Sequence, residues 1–335
     1  MAKQKNILIF GGAGFIGSHL CERLLKDEVN VICVDNFVTS SQNNIDHLLR
    51  LPRFKFINHD FTQPMALEQI EDLKNFQISV FGIQEVYNLA CPTSVKNFNR
   101  LKKQSVLANT VGLINVLELA VKYKAKFLQL SSSVVYGQVP RDEVVKESYL
   151  GATDPLDERA CYDEGKRYAE SVTDTYRDIH KLDTKIARVF RTYGPRMLLD
   201  DGQMLPDFIL NALDNKDLTI YGKKDSRTSL TYISDIVEGL IRLMESSINA
   251  PVNLGSTDVA EWADVAKKIV EITGSKSKIK FAEEQLFMRE LALPDITKIK
   301  EELGWFPIVT LAEGLQHTVD YTRAHKDLLA FSTEV

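Results

Sequence analysis

Residues 161–170, CYDEGKRYAE, set Tyr162 and Lys166 four positions apart, a spacing that brings two side chains onto one face of a helix. An ammonium near a phenol favours the phenolate and lowers its pKa toward a value at which it can take a proton from an alcohol. A second stretch, GGAGFIG at 11–17, places Gly11, Gly14 and Gly17 three apart between an apolar run and a helical pattern. Glycines in that context make the tight turn and close backbone approach that a pyrophosphate needs, and a helix start at Phe15, Ile16 and Gly17 holds its charge. Asp35 ends the next apolar run; a carboxylate there accepts ribose hydroxyls and repels a 2′-phosphate, favouring NAD over NADP. Asp60, in INHDFT, reads either as an adenine contact or as a turn former and helix cap. A third stretch, SSSVVYG at 131–137, closes an apolar run with hydroxyls. A proton acceptor, a cation to tune it and a redox dinucleotide are the parts for reversible oxidation of an alcohol.

These groups meet only if the elements between them fold into a shared edge. Short apolar runs at 5–10, 29–35, 54–58, 85–90, 126–131 and 184–190 alternate with helical patterns near 15–26, 104–123 and 161–180. That rhythm predicts an α/β fold of the Rossmann type, a doubly wound parallel sheet with helices on both faces. After Pro195 the rhythm breaks into one helix, one short strand and turn residues, then resumes with a helix starting at Ser234 or Asp235 and a strand in PVNLGS. We expect a dinucleotide-binding domain of residues 1–192 plus 231–254, and a smaller, discontinuous substrate domain of 193–230 plus 255–325.

Composition narrows the partners. Hydrophobic residues make up 44% and charged residues 26% of the 335 positions, an ordinary globular balance. The net charge is −5, and no Lys/Arg block of the kind that binds nucleic acid or membrane headgroups is present. The first residues carry no signal-peptide core, and no apolar run approaches the roughly 20 residues that cross a bilayer. Cys21, Cys33, Cys91 and Cys161 are widely spaced without a CxxC or a nearby His pair. Neither a metal site nor a disulfide framework is expected, and a reduced, cytoplasmic setting suits the chain.

With GGAGFIG, VYNLACP, SSSVVYG, CYDEGK, TYGPRM, LTIYG and TYISD in order along nearly the whole length, the chain resembles the extended short-chain dehydrogenase/reductase family of nucleotide-sugar epimerases, dehydratases and decarboxylases. Through YNLACP, ACYDEGKR, YGPRM, DDGQMLPDFI and the PDI before LGW it is most similar to the UDP-glucuronate decarboxylases. The resemblance implies a permanently bound NAD, with further contacts from Asn36, Leu89, Ala90, Asn109, Tyr162 and Lys166. Tyr162 would take the proton of the sugar 4-hydroxyl, Ser132 would hydrogen-bond the same oxygen, and Lys166 would also hold the nicotinamide ribose. Asn109 would brace the active-site helices, or else cap the helix it begins. At the nucleotide end, Arg227 corresponds to the family's diphosphate arginine and Tyr221 to the nucleobase region, although packing alone equally explains the tyrosine. Arg191 stands where most relatives have Asn near the diphosphate; its fork of donors suits phosphate or carboxylate, unless it pairs with a surface acid. The helices near 104–123 and 161–180 resemble those of a homodimer interface.

The same resemblance separates three fates of a 4-keto sugar. Dehydratases of the family carry an Asp-Glu pair where this chain has Ser133 and Val134. Decarboxylases carry a Glu at the position of Val134 and an Arg at that of Ala292, with Arg289 the nearest replacement. A glucuronate oxidised at C4 is a β-keto acid that loses carbon dioxide with little help, so missing groups slow that step without forbidding it. Epimerisation needs only Ser132, Tyr162, Lys166 and room, with Ser133 a hydroxyl contact to the sugar. The expected reaction is therefore C4 epimerisation of a UDP-sugar, UDP-glucuronate being one candidate, with its decarboxylation as the alternative. A noncatalytic NAD sensor on the same fold has no physical need for all three residues.

Overall fold

A computed structural model describes residues 5–140, 143–199, 201–283 and 291–330. Its centre is a sheet of seven parallel strands. The first three are β1 (Asn6–Phe10), β2 (Asn30–Asp35) and β3 (Phe54–Asn58). The others are β4 (Glu85–Asn88), β5 (Lys126–Ser132), β6 (Thr184–Val189) and β7 (Val252–Leu254). They lie in the order β7-β6-β5-β4-β1-β2-β3, so the chain reverses its direction of winding between β1 and β4. Every strand expected from an apolar run is present.

Alternation along the strands feeds two cores. Ile7, Ile9, Val31 and Cys33 face helices Phe15–Leu25 (α1) and Ile233–Glu245, whereas Leu8, Phe10, Ile32 and Val34 face Leu113, Val116 and Leu117 of the opposite layer. Both faces are covered, which is why these strands read as continuous apolar runs. A third cluster, around Phe208, Trp262, Ile269 and Leu315, joins helices Met204–Leu213, Trp262–Thr273 and Leu311–Ala330. Ile296, Ile299 and Trp305 instead pack on the sheet core, so this stretch lies with the sheet rather than with the substrate unit where the expected boundaries put it. Trp305 Nε1 donates to the Asp235 carbonyl at 2.9 Å, and the Asp235 carboxylate accepts from Ile308 N and Val309 N at 3.2 and 3.1 Å. That gives a structural reason for TYISD and LGW.

The helix expected near 104–123 runs over Phe98–Tyr123 (α2) and contains a π-helical turn at Ala108–Gly112. By length and composition it is long and apolar enough to cross a membrane, contrary to the expectation that no such stretch exists, and half of its apolar window is buried in this fold. It packs against α3 (Ala160–His180), where a Cβ on Gly165 would come within 3.0 Å of Asn109 Nδ2.

Candidate active site

The carboxyl ends of β1, β2, β4, β5 and β6 open into one cleft of about 630 Å³, which continues between the sheet and the third cluster. A crevice at the switch point of an open α/β sheet is where ligands bind in this architecture. Gly11, Gly14, Phe15, Ile16, Gly17, Asp35, Asn36, Asp60, Leu89, Ala90, Ser132, Tyr162, Lys166 and Arg191 all line it.

The glycine loop is tight for steric reasons. Gly11 has φ +76°, and a Cβ there would stand 2.8 Å from Ala90 Cα; a Cβ on Gly17 would stand 2.1 Å from Gly11 O. No side chain caps α1, which leaves first-turn N–H groups for an anion. Asp35 accepts from Ala13 N, Phe37 N and Ser40 Oγ at 3.0, 2.9 and 2.7 Å, pinning the loop after β2 to the glycine turn while keeping lone pairs for a ligand hydroxyl. Asn44 Oδ1, on a residue of the same wall, is buried without a hydrogen-bond partner. A cradle with no room for a Cβ, an uncapped helix start, an acid and an orphaned acceptor together fit a dinucleotide. Asp60 lines the cleft and also accepts from Thr62 N and Oγ1 at 2.9 and 2.8 Å, so its turn-forming role is present as well.

At the reacting end, β5 stops at Ser132, whose side chain caps a 3₁₀ turn over Ser133–Tyr136 by accepting from Val134 N at 3.4 Å. The turn rotates the backbone so that Val134 lines the cleft and Ser133 is buried away from it. Ser133 is therefore corrected from a substrate contact to an interior residue. The charge of Arg159 and then the Ser132 hydroxyl favour the Tyr162 phenolate. Burial nevertheless dominates and, with Cys91 nearby, raises the Tyr162 pKa above the ordinary phenol value.

Lys166 stands over the same ring. Lys166 Nζ donates to the Leu130 carbonyl at 2.9 Å and lies 5.8 Å from the Tyr162 ring centre, across the ring face. Beneath this pair, Arg188 grips Glu170 through Nε–Oε1 at 2.9 Å and Nη2–Oε2 at 2.7 Å, and Ser131 Oγ adds a 2.5 Å bond to Glu170. These contacts fasten α3 to β5 and β6 and so fix where Tyr162 stands.

Three other expected site residues lie elsewhere. Asn109 does not begin a helix: it sits in the π turn, donating to Ser105 O at 2.9 Å and to Cys91 Sγ at 3.3 Å. It braces helices one layer behind the cleft and does not line it. Tyr221, at the end of strand Leu218–Tyr221, packs on the third cluster, and Arg227 is exposed on strand Arg227–Ser229; neither lines the cleft. Arg289 lies outside the described residues.

The cleft also holds residues that sequence reading missed. Arg159 precedes Tyr162 by three and Lys166 by seven, the stripe of one helix face, a signal that the Tyr-Lys pair alone did not use. Trp262 begins a helix after a short strand, and nothing in its spacing distinguishes it from a core residue. Arg196, at φ +67°, bonds Glu22 and His47, joining α1 to the turn after Pro195.

Three comparisons bear on this geometry. The profile of the family described as GDP-mannose 4,6 dehydratase matches residues 8–318. A UDP-glucuronic acid decarboxylase 1 of Xenopus tropicalis is 39% identical over 320 residues, 96% of this chain and 72% of that protein. Among solved structures, the UDP-glucuronic acid 4-epimerase of Bacillus cereus, in complex with UDP-glucuronic acid and NAD, aligns with TM-score 0.82 at 28% identity, covering 95% of this chain and 99% of that one. The UDP-glucose 4-epimerase of Thermotoga maritima aligns with TM-score 0.83 at 26% identity over 96% and 99%.

Proposed function

The chain belongs to the GDP-mannose 4,6 dehydratase family, within the extended short-chain dehydrogenases/reductases, and we propose that it epimerises a UDP-hexuronate at C4 through a transient 4-keto sugar. It is an NAD-dependent enzyme of nucleotide-sugar modification. The glycine loop, α1 and Asp35 would hold NAD, which when bound supplies a reversible hydride acceptor. The observation that carries the reading is that Ser132, Tyr162 and Lys166 line one cleft with that loop. Tyr162 as phenolate takes the O4 proton and later returns it, and Ser132 holds O4 in line. The substrate is neither oxidised nor reduced overall, so only the configuration at C4 changes.

What favours inversion over loss of a group is the wall beside Ser132. Val134 and Leu291 line the cleft and Ala292 is buried, so no acid or base from these positions can help eliminate water or carbon dioxide. Decarboxylation of UDP-glucuronate is the second reading, favoured by relatives near 39% identity that carry that name. Incubation of NAD-loaded protein with UDP-glucuronate, followed by proton NMR and carbon dioxide release, separates them. A galacto-configured hexuronate supports epimerisation, and UDP-pentose with gas supports decarboxylation. Tyr162→Phe should keep NAD and lose turnover of either kind; undiminished turnover would remove Tyr162 as the base.

We further propose a homodimer across α2 and α3. Val106 and Ile114 on α2 are 44% and 38% exposed and Tyr168 on α3 is 45% exposed, an apolar patch on neighbouring helices. Light scattering giving a monomer mass would refute it.

A further inference from the structure

Among the described residues four Lys and Arg side chains line the cleft, and three have protein partners: Lys166 on Leu130 O, Arg196 on Glu22 and His47, and Arg159 on Asp163 at 3.3 Å. Arg191 differs. Its Cζ lies 5.1 Å from the Trp262 ring centre, and among the described residues it has no carboxylate or carbonyl partner for its guanidinium. Stacking on an aromatic face orients a guanidinium without using its N–H fork. Arg191 is half-buried in the cleft wall, so its donor fork is oriented toward the cleft's contents and suited to an anion.

We propose that Arg191, with the charge of Arg159 beside it, is the receptor for the carboxylate of the sugar and sets the substrate class as a hexuronate; this rests on the UDP-hexuronate reading above. Placement favours the carboxylate over the diphosphate. Val189 pairs in register with Ser132, and Arg191 follows two residues later, at the same strand edge as the group that holds O4. Arg159 stands three residues before Tyr162 and lines the same cleft. The carboxylate carbon is two bonds from C4, whereas the diphosphate leaves from C1, across the ring. Burial, and then the charge of Arg159, lowers the Arg191 pKa to about 10, the strain that a bound anion relieves. A carboxylate paired with guanidinium is stabilised in its charged form relative to neutral carbon dioxide, so the same contact opposes decarboxylation of the keto acid.

The test is calorimetric binding of UDP, UDP-glucose and UDP-glucuronate to NAD-loaded wild type, Arg191→Gln and Arg191→Lys, with thermal melts to confirm folding. Loss of a charge-assisted bidentate contact should weaken UDP-glucuronate by roughly 10–100-fold in Arg191→Gln. UDP and UDP-glucose should change by less than about threefold, and Arg191→Lys should fall between. Equal losses for all three ligands would assign Arg191 to the diphosphate and overturn the proposal alone, as would unchanged binding. Wild type that holds UDP-glucuronate no tighter than UDP-glucose would remove the hexuronate reading and the proposal together. Should Arg191→Gln not fold, the Arg191→Lys selectivity decides: no preferential loss of UDP-glucuronate overturns it.

Discussion

Lys166 Nζ lies 5.8 Å from the centre of the Tyr162 ring while donating to the Leu130 carbonyl at 2.9 Å. The groups that favour the Tyr162 phenolate are Arg159 and Ser132, working against burial that raises its pKa. Lys166 thus ties α3 to β5, and Arg159, at the N-cap of the same helix, adds a positive charge about one turn before Tyr162.

That arrangement predicts a pH profile. A base whose pKa is raised is mostly protonated near neutrality, so kcat should climb with pH on the alkaline side. Removing a cation raises a phenol's pKa further, so Arg159→Met should move the climbing limb to higher pH and lower the rate at pH 7. Ser132→Ala should shift it the same way and cost about 10²–10³ in kcat. A limb unchanged in both variants would mean that another group titrates.

Gly17→Ala should abolish dinucleotide binding, because its Cβ would stand 2.1 Å from Gly11 O and push the turn open. Gly274 is the contrast: it has φ +66° with nothing within 4 Å of a Cβ, so Gly274→Ala should cost only about 1 kcal/mol of backbone strain and leave NAD binding intact. Fluorescence titration with NAD and urea melts read the two effects.

Glu170→Ala should destabilise the fold by about 3–5 kcal/mol, the usual cost of leaving one half of a buried ion pair. Arg188 and Glu170 side chains are each only 12% exposed, and the Arg188 pKa is held up chiefly by Glu170 against desolvation. Equilibrium unfolding at pH 7 measures it.

His19 should give the protein an acid-sensitive step. Burial, and then Arg196, lowers its pKa from 6.5 to about 4, and its Nε2 donates to Pro195 O at 3.0 Å. Between those pH values the unfolded chain binds the extra proton, so stability falls as pH drops from 6.5 and levels off below about 4. The full effect is at most about 3 kcal/mol. His19→Gln should flatten this part of a melting temperature–pH curve.

Much of the architecture was legible because it depends on neighbours along the chain. Apolar runs bounded by turn residues marked the six N-terminal strands to within two residues or so, and the glycine spacing of residues 11–17 marked a turn where no Cβ has room. Tyr162 and Lys166 share a helix face simply because they are four apart. Ser133 was misplaced because a 3₁₀ turn replaces the strand after Ser132, a change of backbone that hydroxyl chemistry does not announce. Asn109 was read as a helix start because Asn suits caps, yet the helix had begun eleven residues earlier and the π turn absorbs it.

Periodicity, turn chemistry and steric demand at glycine are local, so residue order alone was enough to establish the sheet, the dinucleotide loop and the Tyr-Lys pair. Burial and long-range charge are not local. That Lys166 donates one N–H to Leu130, that Arg227 faces solvent and that Arg191 rests on Trp262 with no acid partner among the described residues follow from segments far apart in the chain being packed together. Those distances set desolvation and Coulomb energies, and folding in three dimensions decides them.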